Sequence, residues 1–164
     1  MVNLLKTQDL IRNLSEGPTR EWVTVSVQSP DKCKEAQMDI RTHGQIDREL
    51  SGTPSEVTEN HAKVEMTATQ RMAVDETGLV HGGFLFGLAD HAAMLAVNHP
   101  NVVLGGAEVR FLKPVLPGDR LVAEATVTET DRKKHAVEAF VYKNDETVFS
   151  GRFDCFVLDR HVLA

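Results

Sequence analysis

One stretch, His81 to Asn98, constrains this chain more than any other. It is apolar on almost every side of a helix and is broken mainly by the carboxylate of Asp90. A helix apolar all round belongs in a core. An ionised carboxylate there is costly unless it is paired or at work. The fold must therefore wrap this helix and still find a use for Asp90.

The chain has 164 residues, enough for one domain with a real core. Its net charge of -6 argues against general nucleic-acid binding. The two cysteines, Cys33 and Cys155, lie far apart and in no metal-ligand spacing. No metal site is expected, and the cysteine usage fits a reducing compartment. Met1 to Lys6 lacks the apolar run of a secretory signal, and residues 83–97 fall short of the roughly 20 needed to cross a bilayer. The expectation is a cytoplasmic protein with no membrane partner.

No internal repeat or low-complexity tract is visible. Leu4, Leu5, Leu10, Ile11 and Leu14 fit one side of a short helix, and Trp22 to Val27 alternates like a strand. Residues 1–37 are read as an extension of unknown role, or else Met38 is the true start; residues 38–164 form the domain. Arg41 to Leu50 fits a helix, and Ser51-Gly52-Thr53-Pro54 a stop. Period-2 patterns then run through Ala62–Ala68, Ala107–Phe111, Leu121–Val127, Val137–Val141 and Phe149–Val157. Short turn clusters join the last four (Pro114–Asp119, Thr130–Lys134, Lys143–Glu146), which implies antiparallel pairing. The economical fold is α+β: a curved antiparallel sheet wrapped around one central buried helix.

Gly82 and Gly83 open that helix, where the first N–H groups lack intrahelical partners and the dipole is positive. They either expose those amides to a carbonyl oxygen that gains charge in a reaction, or serve only a tight turn and close packing. Asp90 follows Gly83 by seven residues, roughly 10 Å along the axis. That is too far for both ends to act on one carbonyl. Two antiparallel helices across a dimer would bring the tip of one to Asp90 of the other, giving two shared sites. The plainer alternatives for Asp90 are a satisfied buried group or a surface residue. Burial raises its pKa and nearby helix amides lower it.

His81-Gly82-Gly83 with Phe86 and Leu88-Ala89-Asp90 resembles the hotdog-fold acyl-CoA thioesterases of the PaaI-like (phenylacetyl-CoA thioesterase) group. The later run Ala107 to Pro114, with Pro117-Gly118-Asp119 and Leu121 to Thr128, is similar to the same family, and the match spans about residues 40–158. The resemblance implies hydrolysis of an acyl-CoA thioester. Gly82, with Gly83, would polarise the carbonyl through backbone N–H groups, and Asp90 of the partner subunit would act as nucleophile or general base. No cofactor is implied beyond the coenzyme A of the substrate. His81 belongs to the motif, either orienting substrate or packing in the turn. Many relatives carry Asn where this chain has Asp75, so Asp75 is both a candidate catalytic group and a candidate turn residue, and Thr77 shapes the loop beside it. Phe84 and Met94 are candidates for the acyl pocket or for the core. Arg110 and Lys113 are candidate phosphate contacts, as is the run Arg132-Lys133-Lys134.

Other functions on this fold are a non-catalytic acyl-CoA sensor, as in a bacterial lipid-synthesis repressor, and a dehydratase. Residues 1–60 show no helix-turn-helix pattern and no basic excess, and the longer His-containing dehydratase signatures are missing. The oligomer expected is a dimer or a tetramer.

Overall fold

A computed structural model describes residues 37–164; the expected first helix and the Trp22–Val27 strand lie outside them. In chain order come a single-turn helix α1 (Arg48–Ser51), β1 (Thr53–Thr58), β2 (His61–Thr67), the central helix α2 (Gly82–Val97), β3 (Val102–Phe111), β4 (Arg120–Asp131), β5 (Lys134–Lys143) and β6 (Glu146–Val157). The six strands form one antiparallel sheet in the order β1-β2-β4-β5-β6-β3.

The sheet wraps α2 because both partners are apolar and small at the contact. Leu88, Ala89, Ala92, Ala93 and Leu95 are fully buried on the helix. Ala62, Ala123, Ala125 and Ala139 are fully buried on the sheet. Alanine on both sides lets the backbones approach closely at native packing density. His81 caps the helix start through its Nδ1, which accepts from the Gly83 N–H at 2.9 Å. Asn98 ends it with a left-handed φ of 47°. The Asn98 side chain also straps down the entering chain, accepting from Arg41 N at 2.8 Å and donating to Asp39 O at 2.9 Å.

The β5–β6 turn is closed by Asn144 and Asp145, both at positive φ, as a two-residue hairpin requires. Its residues, and those of the β4–β5 turn, fall where the turn clusters were read.

Two expectations change. The helix expected over Arg41–Leu50 shrinks to Arg48–Ser51, because His43 adopts φ 52° and Asp47 caps a helix only at that point. The Ser51–Pro54 stop ends that helix but opens strand β1, which the sequence reading missed. Pro54 is tolerated since β1 is an edge strand.

The other edge is β3. Ala107, Val109 and Phe111 share one face as expected, and that face looks toward the helix side of the sheet. They are not core residues in the single chain: Ala107 is exposed, Val109 half-buried and Phe111 56% exposed. The helix covers β2, β4 and β5 and leaves the inner side of β3 largely bare.

Gly52 sits at φ 85°, and a Cβ there would lie 2.5 Å from Leu88 Cδ1, 2.7 Å from Val64 Cγ1 and 3.0 Å from Glu65 O. Gly52→Ala is expected to cost about 1–3 kcal/mol in urea unfolding, from backbone strain and from pressure on the α2–β2 contact.

Candidate functional site

Asp90 lies on the side of α2 that the sheet covers least. Phe86, one turn earlier on the same side, packs on Phe153 of β6 with ring centroids 5.6 Å apart. Next along β6, the Cys155 thiol is pushed up to about 12 by burial and then by the charges of Asp90 and Asp154. Asp90 therefore points toward β6, whose other neighbour is the bare edge strand β3. Its Oδ1 is buried and has no hydrogen-bond partner among the described residues. Burial holds its carboxyl at about 6, against an ordinary 3.8. A buried carboxylate oxygen without a donor is the kind of group that structure alone does not retain.

At the helix start the two glycines have distinct jobs. A Cβ on Gly83 would stand 2.7 Å from His81 Nδ1, so this glycine admits the capping imidazole. The cap occupies the Gly83 N–H. A Cβ on Gly82 would stand 2.7 Å from Phe111 Cε1, so this glycine admits an aromatic ring. The Gly82 N–H has no protein acceptor among the described residues. Close packing thus explains the glycine pair, and the Gly82 amide is left free at the positive end of α2. A cleft of about 370 Å³ opens beside it, with Gly82, Phe111 and Lys113 on its walls.

The remaining candidates separate into groups. Asp75 is exposed and built into the loop before α2: its Oδ1 accepts from Thr77 N at 2.9 Å, Thr77 Oγ1 at 2.7 Å and Leu79 N at 3.2 Å. The Thr77 hydroxyl, then the Leu79 amide, hold the Asp75 carboxyl below its ordinary range. The raised pKa of Asp90 comes from burial, with no contribution from Asp75. Phe84 is half-buried and meets His81 edge-on at 6.4 Å. Met94 is packed in the core. Lys113 reaches the cleft at Gly82 but is ion-paired with Glu146. Arg110 alternates with Val109 and Phe111, so it stands on the outer face of the sheet beside Glu108, Phe140 and Arg152, away from α2. Lys133 and Lys134 are paired with Asp159 and Asp154.

A larger concavity, about 940 Å³, is also on the outer face, lined by Lys63, Glu65, Arg120 and Tyr142. It does not adjoin Asp90. An unpartnered buried carboxylate and a free helix amide are reactive features, whereas the outer hollow is a solvated charged surface. Among the described residues no group of three or more His, Cys, Asp or Glu could hold a metal. No helix there is long and apolar enough to cross a membrane. Sequence reasoning missed Phe111 at the helix tip and Cys155 near Asp90. Each sat in a strand pattern and carried no signal beyond its alternation.

This arrangement, a sheet wrapped around a helix whose amide end borders a cleft, is the hotdog architecture. The model of the thioesterase superfamily matches residues 77–150. An uncharacterized protein from Pyrococcus horikoshii is 54% identical, with 79% of this chain and 99% of that one aligned at a TM-score of 0.78. The Escherichia coli PaaI protein, from the phenylacetic acid degradation operon, is 28% identical over 68% of this chain and 83% of its own, at 0.63. The chain is similar to the hotdog-fold thioesterases of the PaaI-like group. Two curated relatives carry other names. A methylthioribose-1-phosphate isomerase of Aquifex aeolicus is 51% identical over 123 residues, 74% of this chain but 27% of that protein. The transcription factor FapR of Bacillus subtilis is 35% identical over 80 residues, 48% of this chain and 43% of that protein. The chain thus spans between about a quarter and a half of these two relatives.

The position of Asp90 sets a pH signature. Below about pH 4 it is protonated in folded and unfolded chains alike. Between about 4 and 6 the folded chain keeps a proton that the unfolded chain has lost, so this contribution to stability falls as pH rises. Asp90→Asn is expected to flatten the dependence in that window. It is also expected to exceed wild type at pH 7 by on the order of 1–3 kcal/mol, read from urea midpoints.

Proposed function

We propose that this chain is an acyl-CoA thioesterase of the cytoplasm that works as a homodimer, or as a tetramer of two such dimers. The observation that carries the reading is the buried, partnerless Oδ1 of Asp90 on the uncovered side of α2. The match of residues 77–150 to the thioesterase superfamily supports it. So does the bare inner face of edge strand β3, which a second copy pairing along β3 would cover.

In that dimer the two α2 helices run antiparallel, and Asp90 of one protomer faces the helix tip of its partner. The free Gly82 N–H there donates to the thioester oxygen and stabilises the charge it gains. The Asp90 carboxylate then adds to the carbonyl carbon, or takes a proton from a water that adds in its place. The tetrahedral adduct collapses, the C–S bond breaks and coenzyme A leaves as thiolate. By the first route water then hydrolyses the mixed anhydride; both routes end in free acid and thiol. His81 orients the tip by holding the Gly83 amide. The chemistry requires no metal.

Assay of the purified chain against an acyl-CoA panel, with a thiol reagent, is expected to show turnover on at least one substrate. Asp90→Asn is expected to lose at least about 100-fold while keeping its fold and oligomeric state. Because the carboxylate is the working form, kcat/KM should fall below about pH 6, the value at which burial sets this group. A second test reads the sharing of sites. Gly82→Pro removes the free amide and presses on Phe111, so it disables its own helix tip. Refolded together, Asp90→Asn and Gly82→Pro chains should recover about a quarter of wild-type activity. Half of the dimers formed at random are mixed, and each holds one intact site of two. No recovery would refute sites built across a dimer.

The similarity to FapR supports a second reading, a ligand-sensing module of a regulator. It predicts tight acyl-CoA binding by wild type with no thiol release at any pH.

A further inference from the structure

The cleft beside Gly82 has a composition that the catalytic reading does not use. Its walls are Leu79, Leu85, Phe111, Leu112, Pro114 and Val115, and its one charged side chain is Lys113. Lys113 is neutralised by Glu146, so the rim offers no unpaired cation for a phosphate. Phe111, Leu112 and Leu79 are 56%, 49% and 39% exposed, although each is a large apolar side chain. A cluster of exposed apolar groups around one mouth marks a binding surface, and since Phe111 stands on the β3 face that the proposed dimer covers, the cleft opens where the two protomers would meet. The Phe111 ring lies on Gly82 and meets Phe149 edge-on at 5.2 Å, so it has a defined seat next to the free amide.

A thioester has two arms, an acyl chain and a pantetheine that leads to charged phosphates. With its carbonyl oxygen on the Gly82 N–H, only the acyl arm suits this cleft. We infer that the cleft receives the acyl chain of an aliphatic thioester, and that Phe111 is the specificity-determining residue that sets how long a chain fits. The inference rests on the thioesterase reading for the position of the carbonyl. Burying each further methylene is worth about 0.8 kcal/mol, or about fourfold in affinity, until the chain meets the ring.

The experiment compares wild type with Phe111→Leu, Phe111→Ala and Phe111→Trp across straight-chain acyl-CoAs of increasing length. Two readouts are taken: kcat/KM from thiol release, and affinity for the matching S-alkyl-CoA thioethers, which cannot be hydrolysed. Phe111→Leu and Phe111→Ala should move the optimum to longer chains and raise the long-to-short ratio at least tenfold. Phe111→Trp should move it to shorter ones. The opposite shifts guard against loss of fold in any one variant. A length profile unchanged in all three variants, with turnover intact, overturns the inference and leaves the thioesterase reading standing. Shifted thioether affinities without thiol release from any protein keep the acyl cleft and overturn the hydrolase. No length dependence of either readout overturns the cleft assignment.

Discussion

The structure depends on one contact, the alanine-lined approach of α2 to the concave side of the sheet. Ala89, Ala92 and Ala93 on the helix, with Ala123, Ala125 and Ala139 beneath, bring the two backbones together and leave no room for larger or polar groups. A helix held this closely is covered by β2, β4 and β5 and turns its remaining side toward β6 and β3. Asp90 is on that remaining side, and so are the rings of Phe86 and Phe153. The carboxylate is therefore neither surface nor core. It is half-enclosed by its own chain, and burial has already shifted its ionisation.

The fold was legible because its two periodicities are clean. The run from Gly82 to Val97 is apolar all round and became the enclosed helix; the alternating runs became strands on the expected faces. What escaped were elements whose signal is local. Strand β1 carries Pro54 and only one large apolar residue, Val57, so it lacked alternation and was read as a stop. The helix expected over Arg41–Leu50 yielded to side-chain contacts distant in sequence, chiefly those of Asn98. For the site, the motif spacing indicated Asp90 and the glycines, and nothing in it distinguished the two amides. Their difference comes from a capping bond, with Gly83 closed by the His81 imidazole and Gly82 left open. Asp75 shows the opposite case. Its carboxylate was a candidate for chemistry by sequence position, and the folded loop engages it with three donors.

At the helix tip, packing and an approachable amide depend on the same atoms. Gly82 must lack a side chain for the Phe111 ring to seat, and by lacking one it also leaves its amide approachable. Packing and exposure of the amide are therefore not separable at this position. The free-amide end of the helix and the apolar wall next to it are fixed by one ring-on-backbone contact, so a change in either moves the other.

The two borders of the sheet are unequal. Along β1, Pro54 has no N–H to offer, while Gln37 and Met38 engage both polar groups of Val57. Along β3 the ladder is bare among the described residues. In the proposed dimer an antiparallel meeting of two such sides consumes both. Propagation into a fibre has nowhere to go: the same proline that disguised a strand in the primary structure acts as the terminator of the ribbon.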